Sequence, residues 1–266
     1  MELLDKELIK SMLNAITANY ICDIYVHNSL NSTNTWLMQQ AENGAPNGTV
    51  CLAEQQTAGR GRHGRTWISP PTGNLYLSLL WRYPQLTSKR LSGLSLVCSV
   101  AVARALWKNS INGLTLKWPN DLLLNERKLA GLLLEARTET DGSSCIIIGL
   151  GINIHLPKEN AIFIDQPYTS LNEHYGESIP SRNMLIATIL NEIIAALIEF
   201  SAYGLQPFIA DWYNHDALTN KQVHLINGNQ EIIGNYLGIG KDGNIILNVN
   251  GIEISFYGGE IKHCRI

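Results

Sequence analysis

The chain has 266 residues, of which 45% are hydrophobic, and a formal net charge of −3 at pH 7. This length predicts one large domain, or one domain with a smaller one attached, and the apolar content is that of a folded protein with a substantial core. The slightly acidic balance argues against a protein whose main activity is to wrap nucleic acid.

The five cysteines are scattered singly along the chain, and none of them forms a Cys-x-x-Cys pair. Their spacing indicates neither a zinc site nor a disulfide framework, and reduced thiols in the cytoplasm fit best. We predict no signal peptide at the N-terminus and no apolar run long enough to span a bilayer.

The N-terminal part begins with a predicted amphipathic helix over Leu3 to Ile16 and a strand over Ile21 to His27. Ser32-Thr33-Asn34 then precedes an apolar helical run, and a serine or threonine at this place is an N-cap signature. Gly44 is placed to end this helix. Capping alone explains the triplet, but the free N–H groups of a helix N-terminus also suit a polar ligand, and the two interpretations are compatible.

The segment Gly59 to Trp67, here called the arginine loop, separates two predicted strands, Thr49 to Gln56 and Asn74 to Trp81. Its three glycines let the backbone approach a ligand closely, and its three arginines suit carboxylate and phosphate groups. Two interpretations stay open, a loop that holds a small anion and a solvated hairpin tip. The loop also matches the dinucleotide fingerprint, which we reject because Pro70-Pro71 prevents a helix from starting at Gly64.

Polar tips and glycines recur on three predicted strands further along the chain. Leu114 to Asp121 ends in a lysine, an amide and an acid around a proline, and Lys128 begins an otherwise apolar strand. Cys145 to Ile154 is interrupted by Gly149 and Gly151, which weaken a core strand unless another group lies against the backbone. Apolar walls with polar tips are expected of a small-molecule pocket.

The remaining elements are helical and then strand-rich. Apolar helices are predicted over Leu91 to Trp107 and, after a Ser181 cap, over Asn183 to Ala202. From about residue 218 the pattern is that of four short strands joined by glycine-containing hairpin turns. We therefore predict a first domain over residues 1–217 and a small β-barrel over residues 218–266.

With these motifs assembled, the chain resembles the biotin–protein ligases, which attach biotin to a lysine of carboxylase subunits. The resemblance runs from about residue 20 to the C-terminus, with the motifs in family order and at fitting spacings. The segments that carry it are Ser32-Thr33-Asn34, Gly59 to Trp67, Lys117 to Asp121, Lys128 to Leu133, Gly149 to Asn153 and Gly258 to Ile261.

The resemblance implies an α+β fold, in which a central mixed or antiparallel sheet is flanked by helices as in class II synthetases, with an SH3-like β-barrel at the C-terminus. It also implies a two-step reaction. The carboxylate of biotin attacks the α-phosphate of ATP to give biotinyl-5′-AMP and pyrophosphate, and a lysine amine of the biotin carboxyl carrier protein of acetyl-CoA carboxylase then displaces AMP. Mg²⁺ is expected with ATP, held largely by phosphates and water.

The site residues follow from the resemblance, position by position. Arg62 and Lys128 are expected beside the carboxylate and the α-phosphate, Asp121 is expected to orient or deprotonate the incoming lysine, and Trp67 is expected to stack on adenine. The predicted biotin-binding residues are Ser32, Thr33, Asn34, Gln56, Arg60, Gly61, Arg62, Lys128, Gly131, Leu133 and Gly149. The predicted ATP-binding residues are Arg65, Trp67, Lys117, Asn120, Asn153 and Arg265.

The chain also departs from the family pattern. Some members carry an N-terminal winged helix-turn-helix, but only about thirty residues precede Ser32-Thr33-Asn34, so we expect no specific operator binding. His63 replaces a usual basic residue, and Lys262 to Arg265 departs from the usual ending. Family members often pair through the central sheet, and a homodimer is left open.

Two alternative functions are kept. A lipoate–protein ligase shares the fold and the acyl-adenylate chemistry but is expected to lack the Gly-Arg-Gly-Arg sequence. An RNA-binding module would also explain the arginine loop and the small barrel. The negative net charge and the apolar runs beside Lys128 and Gly149 argue against it.

Overall fold

The structure is a computed structural model that describes residues 2–71, 73–83, 91–139, 142–157, 164 and 166–265, with the backbone alone for residues 263–265. Seven strands form its central sheet: β1 (Asp23–His27), β2 (Thr49–Ala53), β3 (Leu75–Tyr83), β4 (Leu114–Lys117), β5 (Asp121–Leu124), β6 (Arg127–Thr138) and β7 (Ser144–Ile152). Their order is β1-β2-β3-β7-β6-β5-β4. Strands β1 and β2 are parallel and the other neighbours are antiparallel, so the sheet is mixed.

Helices cover both faces of this sheet. They are α1 (Lys6–Ser11), α2 (Ala15–Tyr20), α3 (Thr33–Glu42), α4 (Leu94–Lys108), α5 (Leu171–Tyr175), α6 (Arg182–Tyr203) and α7 (Ile209–Asn214). Helix α3 packs on β2, β3 and β7. On β3, Leu80 belongs to a small core with Leu37 of α3, whereas Leu79 points into the main core with α4 and α6. Neighbouring side chains of β3 thus point to opposite faces of the sheet, as is usual in a strand. Helices on both faces of a mixed sheet confirm the predicted α+β architecture.

Helix α6 corrects the prediction that no apolar run is long enough to span a bilayer. With 22 residues, the helix has the length and the apolar composition of a helix that could cross a membrane. Much of that apolar surface is buried inside the protein, where α6 packs along α4. Ile189, Ile193 and Leu197 are fully buried there. The composition of α6 is therefore explained by its place in the core.

Two predicted elements are divided in the structure. The expected single helix over Leu3 to Ile16 is wrong. Helix α1 ends at Ser11 with Met12 as its C-cap, and Asn14 caps α2 by accepting a hydrogen bond from the N–H of Thr17 at 2.8 Å. The expected strand over Leu114 to Asp121 is also divided: β4 ends at Lys117, and Asp121 already begins the antiparallel neighbour β5.

The C-terminal region forms a second, antiparallel sheet of five strands. They are β8 (Gln222–Asn227), β9 (Gln230–Ile239), β10 (Ile245–Val249), β11 (Ile252–Phe256) and β12 (Glu260–Arg265), in the order β11-β10-β9-β8-β12. Sequence reasoning predicted four strands and missed β12. Val223, Leu225 and Ile261 of this sheet join the main hydrophobic core. The domain boundary at residue 217 stays a prediction.

Candidate active site

A single pocket opens between the N-terminus of α3, the arginine loop and the face of β6 and β7 that α3 covers. Sixteen of the eighteen residues predicted in the catalytic, biotin and ATP sets line it together. They are Ser32, Thr33, Asn34, Gln56, Arg60, Gly61, Arg62, Arg65, Trp67, Lys117, Asn120, Asp121, Lys128, Gly131, Leu133 and Gly149.

The other two predicted residues lie elsewhere. Asn153 is buried and lines the adjoining cavity with Trp67 and Lys128, and its side-chain amide donates to the carbonyl oxygen of Thr169 at 3.1 Å. The backbone of Arg265 ends β12 opposite Gln222, while its side chain lies outside the described residues. The predicted ATP role of Arg265 therefore stays a prediction.

The N-terminus of α3 forms the buried end of the pocket. Ser32 is the N-cap residue, as predicted, and its hydroxyl accepts from the N–H of Thr35 at 3.5 Å. The N–H and the hydroxyl of Thr33 both donate to the side-chain oxygen of Gln56, at 2.8 and 3.1 Å. The amide of Gln56 donates in turn to Ser69 at 3.0 Å. These bonds hold the polar end of the pocket in place.

Asn34 is held by the protein on both sides of its amide. Its nitrogen donates to the carbonyl oxygen of Leu133 at 3.1 Å and to Glu135 at 2.9 Å, and its oxygen accepts from the hydroxyl of Ser78 at 2.6 Å. A Cβ atom at Gly149 would lie 2.8 Å from Cγ of Asn34, with the amide oxygen closer still. Gly149 therefore makes room for a fixed side chain, and Asn34 shapes the pocket as part of its wall.

The arginine loop folds back on itself as a compact turn. Residues Arg62–Gly64 form one turn of 3₁₀ helix, in which His63 and Gly64 have positive φ angles of 52° and 75°. The N–H of Gly61 donates to the carbonyl oxygen of Arg65 at 2.7 Å, and the N–H of Trp67 donates to that of Gly59 at 2.9 Å. No α-helix starts at Gly64 within this described segment, so the rejection of the dinucleotide fingerprint is confirmed.

Each arginine of the loop is tied to a different element. Arg60 pairs with Glu135 of β6, Arg62 donates to Asn120 at 3.3 Å, and Arg65 pairs with Glu260 of β12. Burial lowers the pKa of the Arg62 guanidinium, while the charges of Asp121 and Glu260 act in the opposite direction. Arginine still stays protonated in proteins, so Arg62 is a fixed cation in the pocket.

Lys128 is a further cation of the pocket. Its ammonium group lies 2.7 Å from the carboxylate of Asp121, and the two side chains are only 17% and 15% exposed. It also lies 5.6 Å from the ring centre of Trp67, within cation–π distance. Asp121 and Gly131 are paired across β5 and β6, which explains why the ion pair stands at the pocket wall.

Trp67 lies flat against a gap in the sheet made by two glycines. Gly131 and Gly151 are direct partners on β6 and β7. A Cβ atom would lie 2.5 Å from the indole nitrogen at Gly151 and 3.2 Å from the ring at Gly131. The indole N–H is buried and has no hydrogen-bond partner among the residues that the structure describes. The two glycines thus form a seat for the indole. The close approach of the ring explains why glycine is found inside these two core strands.

The chain is similar to known proteins along most of its length. A model of the biotin/lipoate A/B protein ligase family matches residues 26–153. The bifunctional ligase/repressor BirA of Escherichia coli is 40% identical over 233 residues, which cover 88% of this chain and 71% of that protein.

The chain belongs to the biotin–protein ligase family.

Two further proteins support this assignment of the ligase. The biotin–[acetyl-CoA-carboxylase] ligase of Mycobacterium tuberculosis is 32% identical over 88% of this chain and 86% of that protein. The solved structure of the biotin protein ligase from Aquifex aeolicus in complex with biotin and ATP aligns with a TM-score of 0.75 and 28% identity, covering 92% of this chain and 99% of that one.

Sequence reasoning missed two residues that hold lining side chains of the ligase pocket in place. Ser78 is fully buried on β3 and bonds to Asn34, and Glu135 on β6 contacts both Asn34 and Arg60. A serine inside an apolar strand and an acid after a run of leucines were visible signals. Their partners depend on strand register and on how α3 packs, which the sequence does not reveal.

Proposed function

We propose that the enzyme joins biotin to ATP as biotinyl-5′-AMP, releases pyrophosphate, and then transfers biotin to a lysine of the biotin carboxyl carrier protein of acetyl-CoA carboxylase. The observation that carries this proposal is the convergence of Arg62, Lys128 and Asp121 in one pocket beside an apolar slot. The M. tuberculosis relative is named for the acetyl-CoA carboxylase, and the A. aeolicus structure is titled as a complex with biotin and ATP.

Biotin binds, in this proposal, along the slot lined by Gly131, Leu133 and Gly149. Trp67 lies over Gly131 and Asn34 over Gly149, as walls of that slot. Its ureido ring needs a few polar partners inside an apolar cavity, and Thr33 and Gln56 present them at the buried end of the slot. The carboxylate at the other end of the molecule then lies toward Lys128. Hydrogen bonds within the protein hold Gln56 and Thr33 in place, so little ordering of these groups is required to bind the ring.

The first step joins two anions that repel each other. A carboxylate oxygen attacks the α-phosphorus, the bond from phosphorus to the bridging oxygen breaks, and pyrophosphate leaves with the bonding electrons. Arg62 and Lys128 supply fixed positive charge on this reacting group, in a pocket where water cannot screen it strongly. Preorganised cations lower the barrier because they need no reorganisation during the reaction.

The second step transfers the acyl group to an amine. The lysine nitrogen of the acceptor attacks the acyl carbon, the bond to the AMP oxygen breaks, and the nitrogen loses a proton. Asp121 is the proposed acceptor of that proton, or the group that orients the amine, since its carboxylate stands at the pocket wall 2.7 Å from Lys128.

The nucleotide lies on the side of Trp67, Arg65, Lys117 and Asn120, which line the same pocket. Mg²⁺ is proposed to accompany ATP and to neutralise charge on its phosphates. The described part of the chain contains no group of three or more His, Cys, Asp or Glu side chains arranged to hold a metal.

We expect a cytoplasmic enzyme, and we leave open whether it pairs through the central sheet. The family model covers both biotin and lipoate ligases, while the relatives named above are biotin ligases.

Incubation of the purified enzyme with labelled biotin or labelled lipoate, ATP and a carrier domain tests the proposal. We expect ATP-dependent labelling of the carrier by biotin and pyrophosphate release that requires biotin. Labelling by lipoate instead would identify the alternative ligase. Steeply salt-dependent RNA binding without pyrophosphate release would contradict both.

A further inference from the structure

Glu135 continues the face of β6 that forms the pocket floor. Residues alternate across a strand, so Gly131, Leu133 and Glu135 point to the same side. Gly131 and Leu133 line the pocket, and Glu135 follows them at its outer end with a side chain that is 23% exposed. The Glu135 carboxylate thus follows the apolar residues Gly131 and Leu133 on this face of β6, beside the slot proposed for biotin.

The two oxygens of this carboxylate connect two different parts of the site. One oxygen accepts from the guanidinium of Arg60 at 2.5 Å, and the other accepts from the amide of Asn34 at 2.9 Å. Arg60 also donates to the hydroxyl of Thr35 at 3.2 Å. The arginine loop is thus fastened to β6 and to the first turn of α3 through one side chain of the loop.

We propose that Glu135 is a positioning residue that latches the arginine loop over the biotin slot. The proposal rests on the proposed function, because a mixed anhydride must be kept from water until the acceptor arrives. The same loop carries Arg62 two residues further on, so the contact between Arg60 and Glu135 also sets where the Arg62 guanidinium stands.

The exposure of the pair fits a latch that opens. The Arg60 side chain is 46% exposed, and ion pairs at such positions are weak because water and salt screen them. The backbone hydrogen bonds of Gly61 and Trp67 join residues of the loop to each other, so they stabilise the turn of the loop but do not attach it to the sheet. The contacts of Arg60, Arg62 and Arg65 with other elements therefore decide whether the loop lies closed. On the biotin side, Arg60 makes this contact with Glu135 and with Thr35 of α3.

Hydrogen exchange of the loop amides in Glu135→Gln tests the latch. Glutamine keeps one acceptor oxygen for Asn34 or Arg60 and removes the charge. We expect loop amides to exchange about fivefold faster than in the wild type, as suits a partly exposed ion pair. We also expect faster release of biotinyl-5′-AMP and a raised KM for biotin, with a smaller change in kcat.

The control is Glu42→Gln, which removes the carboxylate that pairs with Arg137 of the same strand at 3.0 Å. It should leave loop exchange and adenylate release as in the wild type. In the Arg60→Gln background, Glu135→Gln should add little further, because the partner is already lost. Equal loop exchange in Glu135→Gln and wild type, with and without biotin and ATP, would overturn the latch, and so would additive effects in the double variant.

Loop exchange without ligand requires no catalysis, so it decides the latch even if the proposed reaction fails. The wild-type arm with biotin and ATP tests the reaction separately. If the wild type neither forms biotinyl-5′-AMP nor gains protection in the loop, the proposed function is wrong, whatever the Glu135 variant does.

Discussion

The substitution Lys128→Met removes the ammonium group from the pocket while keeping a long, unbranched side chain. Lys128 forms the ion pair with Asp121 at 2.7 Å and faces the ring of Trp67. Methionine retains most of the contact with the ring, so the change is mainly the loss of one positive charge.

The contacts of Lys128 set the expected loss of rate and of stability. In the proposed first step, Lys128 holds both the carboxylate and the α-phosphate, and each charge-assisted hydrogen bond contributes about 1.5–3 kcal/mol. Two such bonds give about 3–6 kcal/mol, which is about a 10²- to 10⁴-fold slower step. Breaking an ion pair that is five-sixths buried costs on the order of 1–3 kcal/mol of stability, between the values for exposed and fully buried pairs. A typical domain stays folded after such a loss.

The assay is biotin-dependent pyrophosphate release under single-turnover conditions, with the thermal midpoint measured in parallel. Lys10→Met is the matched control, because Lys10 pairs with Asp23 at 2.9 Å on the surface of β1, outside the pocket lining. We expect the control to release pyrophosphate at the wild-type rate. A Lys128→Met enzyme within threefold of the wild-type rate would refute the role of Lys128 as a bridging charge.

Three further predictions concern the pocket, the thiols and acid stability. Gly149→Ala should weaken biotin binding and cost about 2–4 kcal/mol in urea unfolding, because the added methyl group displaces Asn34 and its hydrogen bonds; unchanged biotin affinity would contradict this. Native alkylation with iodoacetamide should label the exposed Cys22 and spare Cys98, since burial raises the pKa of Cys98 to about 12, as peptide mass mapping can check. Burial raises the pKa of Asp216 above its usual value of 3.8, so its folded form binds more protons and its contribution to stability falls as pH rises. In urea unfolding, Asp216→Asn should therefore gain relative to the wild type between pH 4 and pH 7, whereas a constant difference would exclude the linkage.

Local signals in the sequence predicted much of the fold. Ser32 and Ser181 cap α3 and α6, as their place before apolar helical runs indicated. The glycine-containing turn at Asn250-Gly251 has two positive φ angles and joins β10 to β11, as expected for a tight hairpin. Such features depend on a few neighbouring residues, so the chain itself contains the information.

Features that depend on distant contacts were not predicted. Strand β12 was missed because it pairs with β8, nearly forty residues earlier. The seat of Trp67 arises because Gly131 and Gly151 become partners across two strands. Glu135 was passed over for the same reason, since its partners Arg60 and Asn34 reach it only after the loop and α3 have packed on the sheet.

A crystal structure of the enzyme with a non-hydrolysable biotinyl-adenylate analogue tests the central claim most directly. We expect the linkage between the acyl group and the phosphate to lie within hydrogen-bond distance of Arg62 and Lys128, with the ureido ring beside Thr33 and Gln56. An analogue bound with that linkage out of reach of both cations would contradict the account.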